Sequence, residues 1–349
     1  MGPPVAEKQA VELTMHDDVR VDEYFWLRER DNPDVIDYLE AENAHTERML
    51  EDSSGLFERL VAEMQARIKE EDTSAPYKHG DYYYYYRYEK GQEYPIYCRR
   101  KGSLSAAEEV LLVVNVEAGD EDFFSVRGFT VSPDHSIAAY AVDTVGRRLY
   151  DINFIDLESG EKLPNRIEKV TDNLVWANDN KTVFYTQQDR ETLRWDKAYR
   201  YDLATGEREL VFEETDETFS IWLADSLTGE HLFVMSSSTL STEISYIAAD
   251  EPQGALQVFL PREQEHEYSV YDGGDRFFVL SNEGAINFQL FEAPLDDTSK
   301  ESWQVVVPHR EDVLIQGIEV FAGHIVLETR RDGLSRLEVL DRTSGELHE

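Results

Sequence analysis

A chain of 349 residues, 41% hydrophobic and 11% aromatic, carries enough apolar side chain for one large domain or two ordinary ones with a packed core. Its net charge of −38, from 72 acidic against 34 basic residues, excludes nucleic acid and membrane surfaces as natural partners, because both demand a basic footprint. One cysteine, Cys98, rules out an internal disulfide framework, and the longest apolar run, VLLVVNV (Val110 to Val116), falls far short of the roughly 20 residues that cross a bilayer.

The start, MGPPVAEKQAVEL, has no apolar signal core, so the expected compartment is the cytoplasm. The cations are 10 Lys and 24 Arg, and a carboxylate-rich, Lys-poor surface suits a salt-rich cytoplasm in which ions screen self-repulsion. The same charge also suits an acidic chamber that attracts basic peptides, and the two readings are compatible.

Residues 1–15 read as a flexible leader. Residues 16–76 form a helical segment: NPDVIDYLEAENAHTERML and SGLFERLVAEMQARIKEE place Val35, Tyr38 and Leu39, then Leu56, Leu60, Val61, Met64 and Ile68, at helical spacing, with starts at Asn32-Pro33 and Ser53-Ser54. Both helices are amphipathic, so their apolar faces need a partner.

From residue 77 to 349 the pattern is β. DYYYYYRYEKGQEYPIYCRR is two aromatic strands around the turn Glu89-Lys90-Gly91-Gln92, and with VLLVVNV it makes a first blade. One phrase then recurs: INFIDLESGEK, YRYDLATGER and LEVLDRTSGEL each run from an alternating strand into Asp and a Thr/Ser-Gly-Glu turn. Asp156 and Asp202 lie 46 apart and Asp202 and Asp341 lie 139 apart, which leaves room for two degraded copies, at residues 244–257 and 288–304. A second marker, strand-turn-strand, appears at residues 129–143, 174–189, 221–237, 270–282 and 318–330, a repeat of about 45 to 48 residues that marks propeller blades. The count is six blades. Either they close as a six-bladed ring, with the Tyr-rich strand pairing near Arg336 to Leu340, or the chain holds all but one blade of a larger ring.

Chemistry is sparse. Gly-x-Ser-x-Gly, phosphate-loop, His-Glu-x-x-His and calcium-loop patterns are absent, no metal and no cofactor is expected, and the nine histidines read as scattered surface or turn residues. EAGDEDFF (Glu117 to Phe124) reads as a solvated acidic loop and the five tryptophans as core.

HDDVRVDEYFWLRERDNPDVIDYLEAENAHTE (His16 to Glu47) resembles the opening of the prolyl oligopeptidase family of serine peptidases at Asp22, Tyr24, Trp26, Leu27, Asn32, Pro33, Val35, Tyr38, Leu39, Glu42 and Asn43. YPIYCRRKG, EEVLLVVN, LVWANDNKTVFYT, FLPREQEHEYSVY and GLSRLEVLDRTSGE are similar to the propeller of its oligopeptidase B branch, with Val113 where relatives usually carry Asp. The resemblance implies an all-β, seven-bladed-type β-propeller truncated to about six blades, preceded by an α-helical segment. It implies cytoplasmic cleavage of short peptides after Arg or Lys by a Ser-Asp-His triad in an α/β-hydrolase domain, the chain's expected partner together with short basic peptides. No catalytic residue is then expected within these residues, and the chain alone is expected to be inactive. The propeller would gate the active site by size, with Thr171, Asp172 and Asn173 on the substrate-facing surface and Tyr24, Trp26 and Tyr38 packing on the hydrolase domain. The contrasting readings are a free-standing propeller that binds peptides or proteins, and an acidic scaffold of a salt-adapted cell.

Overall fold

In a computed structural model, which describes residues 2–51 and 54–349, the chain divides into two compact units. One comprises residues 1–75 with 87–92, the other residues 76–86 with 93–349.

The first unit begins with a two-stranded antiparallel ribbon, β1 (Val11–Met15) and β2 (Asp18–Asp22), turned through His16 and Asp17, both at positive φ. The expected loose leader over residues 1–15 therefore ends in a paired strand: Val11 to Met15 find their backbone partners in Asp18 to Asp22. A 3-10 turn, Phe25–Arg28, follows, and then α1 (Pro33–Leu50) and α2 (Ser54–Gln65). Asn32 caps α1, its Oδ1 accepting from Asp34 N at 3.0 Å, and Pro33 fills the first turn, where a missing N–H costs nothing. Ser53, half of the expected start of α2, lies outside the described residues. The apolar faces are covered only in part: Val35 is buried, but Leu39, Leu56, Leu60 and Met64 are 45% to 57% exposed. Such a stripe in water marks a surface made for contact.

The second unit is six four-stranded antiparallel sheets in chain order. The first holds β3 (Tyr77–His79), β4 (Tyr82–Arg87), β5 (Ile96–Lys101) and β6 (Glu108–Val113), followed by the short helix α3 (Val114–Ala118). The second holds β7 (Ser125–Val131), β8 (Ile137–Asp143), β9 (Tyr150–Asp156) and β10 (Lys162–Val170); the third β11 (Leu174–Trp176), β12 (Thr182–Gln188), β13 (Trp195–Asp202) and β14 (Arg208–Glu213). The fourth holds β15 (Ser220–Asp225), β16 (His231–Ser237), β17 (Thr242–Ala248) and β18 (Gln257–Leu260); the fifth β19 (Tyr268–Asp272), β20 (Phe277–Ser281), β21 (Gln289–Ala293) and β22 (Gln304–Val307). The sixth holds β23 (Val313–Val320), β24 (His324–Arg331), β25 (Leu334–Asp341) and β26 (Leu347–His348). This is the propeller that the repeat predicted. The run VLLVVNV departs from expectation, ending as a strand at Val113 and continuing as α3, where Val114 and Ala118 are buried.

The repeated phrase is the turn between the third and fourth strands. Asp202 Oδ1 accepts from Ala204 N at 2.8 Å and Thr205 N at 2.9 Å, and Gly206, at φ +74°, donates its N–H to the Asp202 carbonyl. Asp156 and Asp341 do the same ahead of Gly160 and Gly345. The aspartate replaces a backbone partner at the turn, and glycine supplies the left-handed residue.

Apolar clusters join each sheet to the next. Phe154 and Tyr185 meet between the second and third, Phe184 and Ile221 between the third and fourth, Phe233 and Phe277 between the fourth and fifth, and Leu290 and Ile325 between the fifth and sixth. Strand alternation sends Tyr84 to Val131 and Ala138 of the second sheet, and Tyr85 with Ile96 and Cys98 to the opposite face. Polar locks repeat at the seams: Arg99 donates to the His135 carbonyl at 2.8 Å, Asp134 N to Asn180 Oδ1, Asn178 Nδ2 to the Gly229 carbonyl, Thr228 Oγ1 to Asp272, and Arg342 to the Gly273 carbonyl. The ring closure considered for six blades is not made. β25, which contains Arg336 to Leu340, pairs with β24 and β26 instead of the Tyr-rich strand.

Candidate functional site

The first strand of each sheet lies at a sheet edge, and β11 lies beside β7 and β15 as β23 lies beside β19, so these first strands form the inner surface of the propeller. Side chains there meet whatever enters the ring.

Thr171, Asp172 and Asn173 lead from β10 into β11, and only one of the three is placed to meet a ligand. Thr171 is fully buried, its hydroxyl bonded to Thr186. Asn173 clamps β15, accepting from Leu223 N at 2.6 Å and donating to the Leu223 carbonyl at 3.0 Å. Asp172 is half-buried, with its carboxylate near the Tyr150 phenol, whose pKa is raised by burial and then by Asp172. The approach of this segment to β7 demands a glycine at 128: at φ +58°, a Cβ there would sit 2.2 Å from the Asp172 carbonyl oxygen.

In the first unit Trp26 is buried, and its indole N–H donates to the Glu7 carbonyl at 3.0 Å. Tyr24 is 42% exposed. Tyr38 donates to Glu42 Oε1 at 2.7 Å, and this bond raises its phenol pKa.

A pocket that sequence reasoning missed lies at the ends of β15, β19 and β23, with a volume of about 270 Å³. Leu227, Phe233 and Met235 give it apolar walls, and Asp225 and Glu319 place carboxylates on it. Among the described residues neither carboxylate has a hydrogen-bond or ion-pair partner. Tyr271 lines it too, and burial raises the phenol's pKa, keeping it neutral. Apolar walls beneath unpaired carboxylates match a long cationic side chain, whose stem buries while its head pairs. Asp225 ends β15 and Glu319 is the next-to-last residue of β23, and each falls inside a copy of the strand-turn-strand marker, which carries no sign that the two share a pocket.

Two groups hold metal-ligand types at close range: Glu230, His231 and Asp272, and Glu263, His266 and Glu283. In the first, Asp272 already accepts from His231, Thr228 and Gly274; in the second, Lys300 Nζ sits between Glu263, at 2.8 Å, and Glu283, at 2.5 Å. Two of the nine histidines depart from the expected surface or turn role: His266 is buried against Ser281, Nε2 to Oγ 2.8 Å, and His231 is bound at a seam. The Ser281–His266 pair resembles half of a hydrolytic triad, but both residues are buried and a substrate carbonyl cannot reach the hydroxyl. Glu117, placed by sequence in a solvated loop, pairs instead with Lys162 at 2.5 Å.

A family model described as "Prolyl oligopeptidase, N-terminal beta-propeller domain" matches residues 3–349. Dipeptidyl aminopeptidase BI of Pseudoxanthomonas mexicana is 37% identical over 97% of this chain and 49% of its own length. Protease 2 of Moraxella lacunata is 34% identical over 100% of this chain and 51% of its own. The solved structure of oligopeptidase B from Leishmania major superposes with a TM-score of 0.90 at 30% identity, covering 99% of this chain and 52% of that one. The chain spans about half the length of the curated relatives it matches.

Proposed function

From the premise that the chain belongs to the prolyl oligopeptidase family as its N-terminal β-propeller domain, we propose that it gates a serine oligopeptidase that cleaves short peptides after Arg or Lys. The hydrolytic residues come from the remainder of the polypeptide, an α/β-hydrolase domain. The propeller admits flexible peptides and excludes folded proteins, while the exposed apolar residues Leu39, Leu56, Leu60 and Met64 of α1 and α2 suit contact with that partner. The observation that carries the reading is the pocket in which Asp225 and Glu319 stand unpaired over Leu227, Phe233 and Met235. A second reading, removal of dipeptides from free amino termini, is favoured by the 37% identity to a dipeptidyl aminopeptidase.

The test uses the full-length polypeptide and fluorogenic peptides ending in Arg, Lys, Pro or Leu, each with a free or a blocked amino terminus, beside a folded protein rich in Arg. Cleavage of blocked Arg and Lys peptides, with the folded protein intact, is the expected result. Release limited to dipeptides from free termini supports the second reading, and cleavage after Pro alone rejects both.

A further inference from the structure

We propose that the concavity between the outer edges of the second and third sheets binds a small polyanion bearing phosphate or carboxylate groups. The cavity has a volume of about 630 Å³, within the range of small-molecule sites. Arg166, Lys169, Arg190 and Arg208 line it, with Asn165 and Tyr201 between them.

The charge there runs against the whole chain. With 72 acidic and 34 basic residues, a patch of five charges should hold three or four carboxylates; this one holds four cations and Glu168. The cations are also largely uncommitted. Arg166 meets Asp151 at 2.5 Å and Glu168 at 3.9 Å, but among the described residues Lys169, Arg190 and Arg208 have no carboxylate within ion-pair distance. Elsewhere in the propeller Arg200, Arg262, Arg276, Arg310 and Arg342 each hold one.

The backbone presents these groups. β10 is the outer edge of its sheet, and its pairing with β9 is irregular between Lys162 and Arg166 and between Ile167 and Val170. Bulges at an edge re-aim side chains. Lys169 is held at φ +58°, an unfavourable region for lysine, with its N–H donating to Asp151 Oδ1 at 2.8 Å. Across the cavity Arg208 lies over the Tyr199 ring, 5.4 Å from its centroid, which fixes the guanidinium. The Tyr201 hydroxyl accepts from Asn165 Nδ2 at 3.1 Å, and among the described residues its own hydrogen has no acceptor. A ligand oxygen completes that bond while the guanidinium groups and the ammonium take the charge. The acidic surface beyond is screened over about 10 Å at 0.1 M salt, so the local charge governs.

The experiment is isothermal titration of the full-length polypeptide with sodium tripolyphosphate and with citrate in 0.1 M salt. Saturable one-to-one binding is expected, weakened about tenfold or more in Arg190→Gln and in Arg208→Gln, since hydrogen bonds to a charged group carry at least that much. Melting temperatures without ligand should not change. Preference for tripolyphosphate assigns phosphate, preference for citrate assigns carboxylate. No saturable binding of either, or binding unaltered in both variants, overturns the proposal. Lys169→Gln serves in place of a variant that fails to fold.

Discussion

His231 Nδ1 lies 2.8 Å from Asp272 Oδ2 across the seam between the fourth and fifth sheets. Asp272 is buried, and it also accepts from Thr228 Oγ1 at 2.6 Å and Gly274 N at 2.7 Å. Asp272→Ala strands these donors and should cost about 3 kcal/mol in urea unfolding. Burial pushes the carboxyl pKa up, but the bonds from His231, Thr228 and Gly274 outweigh it and hold the group below the usual carboxylate range. A carboxyl depressed in the folded state contributes stability that is full above its unfolded pKa and fades as pH falls through the folded one. The stability gap between the parent and Asp272→Asn should therefore hold near neutrality and shrink below about pH 4. A gap that persists unchanged to about pH 2 would remove the ionised carboxylate from the account.

The turn phrase gives a cleaner test of backbone strain. Gly160 sits at φ +74°, and a Cβ there would touch nothing within 4 Å. Gly160→Ala should thus cost only the left-handed penalty, about 1 to 2 kcal/mol, as a loss of denaturation midpoint with unchanged slope. A neutral result would mean that the turn relaxes to another conformation.

The blades were legible because each one solves the same local problem in the same residues. Asp156, Asp202 and Asp341 mark one turn whose side-chain bonds are made within three residues, so the sequence contains the whole interaction. β3 was missed because Tyr77 to His79 are three exposed residues with no alternation to read. Asp225 and Glu319 were invisible for a different reason: 94 positions separate them, and only the ring brings two innermost strands to one pocket. The seam role of His231 and the burial of His266 against Ser281 likewise depend on neighbours 41 and 15 residues away.

Glu214 and Arg262 form a second buried lock. Glu214 is 5% exposed and accepts from Arg262 Nη2 and Ser236 Oγ, each at 2.5 Å, while the guanidinium carbon lies 3.6 Å from the Phe219 ring centroid. Burial raises the Glu214 pKa and the bonds from Arg262 and Ser236 more than reverse it. Arg262→Met should destabilise by about 3 kcal/mol, because it leaves a buried carboxylate unpaired. Adding Glu214→Gln should recover part of that loss, and a double variant no better than the single would show that the guanidinium acts by packing on Phe219 instead.

Trp26 separates packing inside the first unit from packing elsewhere. It is 6% exposed with its N–H on the Glu7 carbonyl, so Trp26→Ala should cost about 3 to 5 kcal/mol of that unit's stability. Trp26→Phe, which keeps one aromatic ring and gives up the pyrrole half of the indole with its hydrogen bond, should cost less, about 1 to 2 kcal/mol. Equal losses in the two variants, read by thermal unfolding, would assign the effect to the Glu7 bond rather than to burial.

The pocket carboxylates make the peptidase reading quantitative. Asp225 and Glu319 are exposed at its rim, so each contributes what a solvated ion pair does, about 1 kcal/mol or less. Asp225→Asn or Glu319→Gln should raise KM for Arg and Lys peptides up to about fivefold, and the pair of changes somewhat more than either alone, with kcat little altered. Peptides with a neutral side chain in place of Arg or Lys should show no change, because they have no charge to lose. High salt should reduce the parent's preference toward that of the double variant, since exposed pairs are screened within a Debye length. Equal effects on charged and neutral peptides would mean that these carboxylates shape the pocket and do not read the substrate's charge.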